Sequence, residues 1–315
     1  MQRTFRVAVL TSLLLPSFAV AQDHAYPGLV LRLPSSARTL AMGNVGIVGR
    51  DDDVLFYNPA QLVAARGTSV SVERFSQFAR SGTLSSVIRF NNGGIGIGGT
   101  VSNYRSTSGI GFPVDRLNML GDVPATAASS NALAVGIGQV FKGTRVGVTA
   151  KYFDEPGEVI HRAAVIADAG LARDFFGYSF GLAVQNIGPH FTLPLIATPD
   201  ASVESQGSIP ASGLPLSTTF GAGRALPVGP FDLFATAAVS WLRDGFVSPA
   251  GGAELGYSWL EGYNIILRAG ARRPVRGEGP ITAGAGFIMD RLAIDYAIEA
   301  LSGGRAGHRI GLRIR

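Results

Sequence analysis

The sequence contains no cysteine, and its only two lysines are Lys142 and Lys151. Without cysteine there is no disulfide framework, so an exported chain of 315 residues needs a large closed hydrogen-bonded sheet for its stability. Charged residues make up only 16% of the chain, and its arginines are scattered rather than gathered into a basic block with interleaved aromatic residues. This charge pattern argues against a nucleic-acid partner.

A long apolar run is also missing, although 46% of the residues are hydrophobic. After residue 21 no stretch reaches the roughly 20 apolar residues that a transmembrane helix requires. Residues 1–21 contain Arg3 and Arg6, a short apolar stretch that Pro16 interrupts, and Ala19-Val20-Ala21 at the end. A positive start, a short apolar core and a small-residue cleavage site are the three parts of a secretory signal peptide. We therefore expect residues 1–21 to be a signal peptide.

The apolar residues are spread over alternate positions instead. In the segment that ends at Arg272, Ile265 and Leu267 alternate with Asn264 and Arg268. Because neighbouring side chains on a strand point to opposite faces, this pattern is typical of a wall that is apolar outside and polar inside. About fourteen such segments, each of roughly 9 to 13 residues, follow one another from about residue 67 to residue 315.

The joins between these segments alternate in length. Tight turns are expected at Asn91-Asn92-Gly93-Gly94, Lys142-Gly143-Thr144, Phe176-Gly177, Pro227-Val228-Gly229-Pro230, Glu261-Gly262 and Asp290-Arg291. The long joins, about residues 105–130 and 187–214, fall on the other side. Loops sorted by length predict a 14-stranded antiparallel transmembrane β-barrel in the outer membrane of a Gram-negative-type bacterium. Short turns are periplasmic in such barrels, so we expect both chain ends in the periplasm.

Ion pairs inside the barrel are predicted from the alternation of charged residues. In the last hairpin, one register brings acidic and basic residues together on the lumen face and aliphatic residues together on the lipid face. The preceding hairpin, across Glu261-Gly262, behaves alike. The predicted lumen pairs are Asp295 with Arg313, Glu299 with Arg309, and Glu254 with Arg268.

Residues 22–66 do not alternate, and their motifs resemble a known family. Ser36-Ala37-Arg38-Thr39-Leu40-Ala41-Met42-Gly43, the acidic stretch Asp51-Asp52-Asp53 and Asn58-Pro59-Ala60 occur in this order before the first strand. Gln185-Asn186-Ile187-Gly188-Pro189 and the closing hairpin that starts at Leu292 complete the pattern. The chain resembles the PorV/PorQ branch of the FadL-type outer-membrane proteins.

The resemblance implies a barrel over residues 67–315 with residues 22–66 folded inside it as a hatch. Asp51, Asp52, Asp53, Asn58 and Pro59 would belong to that hatch. FadL-type proteins pass hydrophobic small molecules through a sideways opening that a kink in the third strand creates. Glycines make such a kink possible, since they weaken a strand and permit a bulge. The candidate residues here are Gly96, Gly98 and Gly99. An alternative interpretation is that these glycines face the lumen and leave room for the hatch.

Three patterns resemble catalytic or metal-binding sites, but their sequence context argues against each. Gly177-Tyr178-Ser179-Phe180-Gly181 matches the esterase nucleophile motif, but Ser179 opens a predicted strand and no helix follows, so we expect no enzyme. Asp51–Asp53 lacks the spacing of a calcium loop and is expected to anchor the hatch through lumen arginines such as Arg268 or Arg272. The four histidines are far apart, and neither a metal site nor a cofactor is expected.

Three functions remain open at this stage. The first is a channel for the uptake of hydrophobic small molecules. The second is a PorV-like accessory of type IX protein secretion or surface attachment, which would bind secreted protein cargo. The third is a purely structural barrel. Every version needs outer-membrane lipid and the barrel-assembly machinery as partners.

Overall fold

The computed structural model describes residues 28–74, 79–105, 127–156, 161–191, 212–274, 278–301 and 305–314. The predicted signal peptide and most of the two longest joins lie outside these ranges. No helix within them is long and apolar enough to cross a membrane.

Fourteen strands form one closed antiparallel barrel, as the sequence predicted, and a separate two-stranded sheet lies in the join after the seventh strand. The strands are β1 Gly67–Arg74, β2 Ala79–Phe90, β3 Gly93–Arg105, β4 Ala127–Phe141, β5 Thr144–Glu155, β6 Arg162–Phe175, β7 Tyr178–Ile187, β8 His190–Phe191, β9 Ser212–Gly213, β10 Ser217–Val228, β11 Phe231–Leu242, β12 Val247–Leu260, β13 Tyr263–Arg272, β14 Ile281–Met289, β15 Leu292–Ala300 and β16 Ala306–Ile314. Strands β8 and β9 form the small sheet, and β1 pairs with β16 to close the barrel.

The two faces of the wall differ in the way that the alternation predicted. On β13, Ile265 and Leu267 are 47% and 58% exposed on the outer face, whereas Ile266 and Arg268 are 6% and 4% exposed toward the lumen. Strands β5, β6, β15 and β16 repeat this contrast over most of their length. Such a wall is stable in a lipid bilayer for two reasons. Its outer face is apolar, and its backbone groups form hydrogen bonds between strands rather than facing lipid.

The six joins at one end of the barrel, which we call the short-turn rim, each contain two residues. Residues with positive φ occur in these turns, among them Asn92, Lys142, Phe176 and Asp290. Two-residue turns of this kind match the twist of antiparallel strands and keep the connection tight. The joins at the opposite end, the long-join rim, contain at least four residues; the join between β3 and β4 has 21, and the join between β7 and β10, which includes β8 and β9, has 29.

Outward-facing aromatic residues gather near the short-turn rim. They are Phe90, Phe141, Phe175, Tyr178, Phe231, Tyr257, Trp259 and Tyr263. Aromatic rings of this kind form girdles where a barrel wall meets the membrane–water interface. The band places one interface at the height of these turns.

The predicted register of the last hairpin is wrong by two residues. Asp295 lies opposite Gly311 rather than Arg313, and Glu299 lies opposite Gly307 rather than Arg309. A shift of two residues keeps every side chain on its own face, so alternation alone cannot distinguish the two registers. The register of β12 and β13 agrees with the prediction, since Glu254 lies opposite Arg268.

Residues 28–66, called the inner segment below, lie within the barrel. They contain helix α1, Ala37–Ala41, and three short 3₁₀ helices at Leu29–Leu31, Asp52–Phe56 and Pro59–Val63. Ser36 begins α1, because its side-chain oxygen accepts from the Thr39 amide at 3.1 Å. The segment starts at the long-join rim, where the Gly28 amide donates to Glu155 Oε2 at 3.1 Å. It ends at the short-turn rim, where β1 begins.

Candidate functional site: the lumen and its inner segment

Glycines on the lumen face of the wall form a bed for the inner segment. A Cβ added at Gly252 would lie 2.6 Å from the Met42 carbonyl oxygen, and one at Gly138 would lie 2.8 Å from the Pro59 oxygen. At Gly170 an added Cβ would overlap Asn58 Oδ1. Real Cβ atoms do not approach this closely, so larger residues at these positions would push the segment out of place. The glycine pattern of the barrel is therefore matched to the segment that fills it.

The glycines of β3 belong to this bed. Gly96 and Gly98 face the lumen against Leu62, Leu55 and Phe56 of the inner segment. The pairs of β3 with β2 and with β4 run without a register shift. β3 therefore has no bulge along these pairs, and the alternative interpretation, in which the glycines face the lumen and leave room for the inner segment, describes Gly96 and Gly98.

Gly99 does not belong to the bed, because an added Cβ there would lie 3.0 Å from Leu133, an outward-facing residue. Register shifts occur elsewhere in the wall. One lies between β6 and β7 at Ala167/Ala169, and another lies between β12 and β13 at Ser258/Leu260.

Asn58 and Pro59 hold the last helical turn of the inner segment against the wall. Asn58 Oδ1 accepts from the Ala60 amide at 3.1 Å, and Pro59 occupies the first position of the turn, where no amide donor is needed. The Asn58 side-chain amide donates to the carbonyl oxygens of Ile47 at 3.0 Å and of Leu171 on β6 at 3.2 Å. One buried side chain thus joins two parts of the segment to the barrel.

A closed ring of ion pairs joins the other side of the inner segment to the wall. Its members are Arg38 and Asp51 of the segment with Glu254, Arg268, Asp295 and Arg313 of strands β12, β13, β15 and β16. Around the ring, acidic and basic side chains alternate, so each has two partners of opposite charge. We call it the ionic ring.

The distances within the ionic ring are those of charge-assisted hydrogen bonds at most contacts. Arg38 donates to Asp51 at 2.6 Å and, through two nitrogens, to both oxygens of Glu254 at 2.8 and 3.1 Å. Arg268 donates to Glu254 at 2.6 Å and to Asp295 at 2.7 Å. Removing one member of such a buried network leaves its partners with an uncompensated charge.

The ring contains two of the three lumen pairs that the sequence suggested. Glu254 pairs with Arg268, and Asp295 pairs with Arg313 at 3.5 Å across the diagonal of the shifted register. The third pair is wrong. Glu299 pairs with Arg272, and Arg309 donates to Glu73 on β1 at 2.6 Å. Glu73 lies at the other end of the barrel sequence, so only barrel closure brings it to Arg309.

The acidic stretch is anchored residue by residue. Asp51 pairs with Arg38 and Arg313, and Asp52 accepts from Ser69 on β1 at 2.5 Å and also from Ser85 on β2. Arg313 therefore takes the role that the sequence had suggested for Arg268 or Arg272. These contacts tie two consecutive residues of the segment, Asp51 and Asp52, to the first, second and last strands.

Asp53 differs from its neighbours because it lacks a direct arginine contact among the described residues. It accepts from the Ser36 hydroxyl at 2.6 Å. The pKa of Asp53 is raised to about 6, chiefly by burial and then by the adjacent Asp51 and Asp52 carboxylates, although the Ser36 hydrogen bond and Arg38 lower it. Its charge therefore changes within the pH range between the ordinary carboxyl pKa and neutrality.

A second buried cluster, which the sequence did not reveal, lies at the register shift of β6 and β7. Lys151 on β5 pairs with Asp168 at 2.6 Å and donates to Asn186 Oδ1 at 3.2 Å. The backbone N–H of Asn186 donates to Asp168 Oδ1 at 2.8 Å, and Asn186 has a positive φ of 60°. A lysine in a chain with only two was the one signal that could have pointed to this cluster.

Among the described residues, two of the cavities lie on opposite sides of the inner segment. The upper cavity, of about 150 Å³, lies toward the long-join rim. Its lining includes Leu31, Val45 and Ile47 of the segment and Gln185, Thr219 and Ser240 of the wall. The lower cavity, of about 210 Å³, lies toward the short-turn rim and is lined by Arg38, Glu254, Arg268 and Arg313 of the ionic ring. The inner segment and its ring thus separate two spaces along the barrel axis.

Comparison with known proteins identifies the fold. No family model matches the chain, and no curated protein matches it. The solved toluene transporter TodX of Pseudomonas putida is 12% identical, with 89% of this chain and 96% of that chain covered and a TM-score of 0.57. The toluene transporter TbuX of Ralstonia pickettii is 12% identical, with 93% and 99% covered and a TM-score of 0.55.

A third neighbour, the monoaromatic hydrocarbon channel CymD, is 11% identical, with 93% of this chain and 97% of that chain covered and a TM-score of 0.51. At these identities the comparison shows a shared FadL-type barrel fold. Membership of the PorV/PorQ branch stays a prediction.

Proposed function

We propose that this protein is an outer-membrane channel for hydrophobic small molecules, with residues 22–66 acting as its hatch. The observation that carries the proposal is the arrangement of the lumen, in which one segment, latched by the ionic ring, divides an upper from a lower cavity. A structural barrel needs neither a bed of glycines shaped for a plug nor cavities on both sides of it.

The solved neighbours support the choice of cargo. Two of them are toluene transporters and the third is a monoaromatic hydrocarbon channel, and their chains are covered almost completely by this fold. A fold hosts several functions, so the cargo class is our proposal for this chain rather than a consequence of the fold. The described residues offer no observation that favours the secretion alternative.

The orientation that we propose puts the short-turn rim in the periplasm and the upper cavity at the cell surface. Outer-membrane barrels have short periplasmic turns and longer outer loops, which matches the two rims. The end of β16 then lies on the periplasmic side, whereas Gly28 lies near the outer rim. A molecule from outside would meet the upper cavity first and the ionic ring second.

Uptake by reconstituted vesicles tests this proposal. Vesicles with the full chain should accumulate radiolabelled toluene faster than empty vesicles and faster than vesicles with an unrelated barrel of equal strand number. A water-soluble sugar of similar size should enter no faster than into empty vesicles, because the hatch closes the lumen to bulk water. Equal toluene rates in all three preparations would contradict the proposal.

A further inference from the structure

The upper cavity has two chemically different walls. Most of the apolar lining comes from the inner segment, with Val30, Leu31, Leu33, Val45, Ile47 and Phe56, although Arg32, Ser35, Asn44 and Tyr57 of the segment also line the cavity. Strands β7, β10, β11 and β12 contribute a polar wall of Gln185, Ser217, Thr219, Ser240 and Ser248, beside the apolar Ala238, Leu242 and Ala250. A purely hydrocarbon ligand would make no hydrogen bond to the polar side chains of these strands, whereas a molecule with one apolar side and one polar group can contact both kinds of lining.

The polar wall is a continuous row across neighbouring strands. Ser217 lies opposite Gln185, Thr219 lies opposite Ser240, and Ser240 lies opposite Ser248. The hydroxyls of Thr219 and Ser240 are 2.8 Å apart and form a hydrogen bond. A hydroxyl both donates and accepts, so this pair can bind a ligand hydroxyl or carbonyl without losing its own bond.

The charges that border the upper cavity cancel. Lys151 pairs with Asp168 at 2.6 Å, and Arg32 pairs with Glu278 at 3.5 Å. Arg272 pairs with Glu299 and lies 3.6 Å from Glu278. Three cations thus face three carboxylates. A ligand carboxylate would enter a site with no surplus positive charge and would lose its hydration there, which is unfavourable.

The size of the upper cavity limits the ligand to a compact molecule. Its volume is about 150 Å³. A cavity of about this volume holds one benzene ring. A long acyl chain exceeds this space as the lumen stands, whereas a single ring with a small substituent fits it.

We infer that the upper cavity binds a neutral, single-ring-sized molecule that carries one hydroxyl or carbonyl group, and that the Thr219–Ser240 pair recognises that group. This inference rests on the proposed function and narrows its substrate class. It predicts that the cavity binds such a molecule more tightly than either a plain hydrocarbon or a fatty-acid-like anion. Its discriminating residues belong to β10 and β11.

Three ligands with the same ring test the inference: 4-methylphenol, toluene and 4-methylbenzoate. Binding to the full chain in lipid nanodiscs is measured by calorimetry at neutral pH, with empty nanodiscs subtracted. We expect 4-methylphenol to bind at least about threefold more tightly than toluene, from one net hydrogen bond. We expect 4-methylbenzoate to bind most weakly.

A double variant identifies the recognising pair. Thr219→Val combined with Ser240→Ala should weaken 4-methylphenol binding about tenfold, because two hydrogen-bonding groups are lost, and should change toluene binding less than twofold. Thr218→Val is the matched control, since Thr218 is the next residue on β10 and alternation points it to the other face of the wall. The heat-dependent gel mobility of each variant checks that the barrel is folded.

The wild-type ranking tests the inference even without a variant. Tighter binding of toluene or of 4-methylbenzoate than of 4-methylphenol would overturn it, and so would a double variant that behaves like the Thr218 control. If none of the three ligands binds, the inference also falls, and the toluene uptake assay then decides separately whether the proposed channel function survives.

Discussion

Arg38 is the residue on which the attachment of the inner segment depends most, because it makes a bidentate contact with Glu254 of the wall and also holds Asp51 of the segment. Replacing it with methionine keeps much of the side-chain length and removes the charge. Breaking a buried pair costs about 3–5 kcal/mol. The Arg38 side chain is 17% exposed. Glu254 keeps Arg268 and Asp51 keeps Arg313, so the loss should be smaller. We expect about 2 kcal/mol, which raises the population of segments released from the wall about thirtyfold.

Planar-bilayer recordings measure this change as openings of the lumen to small ions. The wild-type chain should open rarely, and Arg38→Met should open about thirtyfold more often, while the barrel itself keeps its heat-dependent gel mobility. Arg50→Met is the matched control on the same segment. Arg50 is 60% exposed in a loose 3.6 Å pair with Asp174, and exposed pairs contribute little. Equal opening frequencies in the two variants would refute the role of the ring.

A double variant shows whether Arg38 and Glu254 act together. Glu254→Gln removes the partner charge and leaves a hydrogen-bonding side chain of similar size. If the two residues are coupled as the bidentate contact indicates, the double variant should open less often than the two single effects multiplied together. Independent effects would mean that Arg38 acts on the segment by another route.

Three further predictions concern the bed, the wall and pH. Gly170→Ala should displace the inner segment and increase leakage in vesicle swelling, whereas Gly82→Ala, whose added Cβ would lie 3.6 Å from its nearest neighbour, should not. Ile310→Arg, on the outer face at the middle of β16, should destabilise the folded barrel by about 2–4 kcal/mol, which gels show as a smaller folded fraction. Ser217→Arg in the upper cavity should destabilise the barrel less. Acidification from pH 7 to 5 should strengthen segment docking by about 1 kcal/mol, because the pKa of Asp53 is raised to about 6 in the docked state and its charge is unfavourable there. Bilayer openings should then become rarer in the wild type and change less in Asp53→Asn, and a wild type whose openings increase on acidification would contradict the assignment.

Strand number, faces and tight turns were predictable from the sequence because they depend on local patterns. Alternation sets the face of each residue, and turns such as Lys142-Gly143 set where strands end. The order of motifs in the inner segment also pointed to a plug. None of these local signals depends on which two strands pair to close the barrel.

Partners across the barrel could not be predicted, because they depend on closure and on register. Arg309 contacts Glu73 only when the first and last strands pair, and Glu299 finds Arg272 only in the shifted register. The glycines of β3 were ambiguous for a similar reason. Their density allowed a bulge or a bed, and only the position of Leu62 shows that they form part of a bed.

Spin labelling of single cysteines tests the central claim most directly, and the chain's lack of native cysteine makes it simple. Labels at positions 265, 266 and 267 of β13 are compared in lipid vesicles for contact with oxygen, which concentrates in the bilayer, and with a water-soluble nickel complex. Our account predicts high oxygen contact at Ile265 and Leu267 and low oxygen contact at Ile266, which is buried toward the lumen. High oxygen contact at position 266 with low contact at its two neighbours would contradict it.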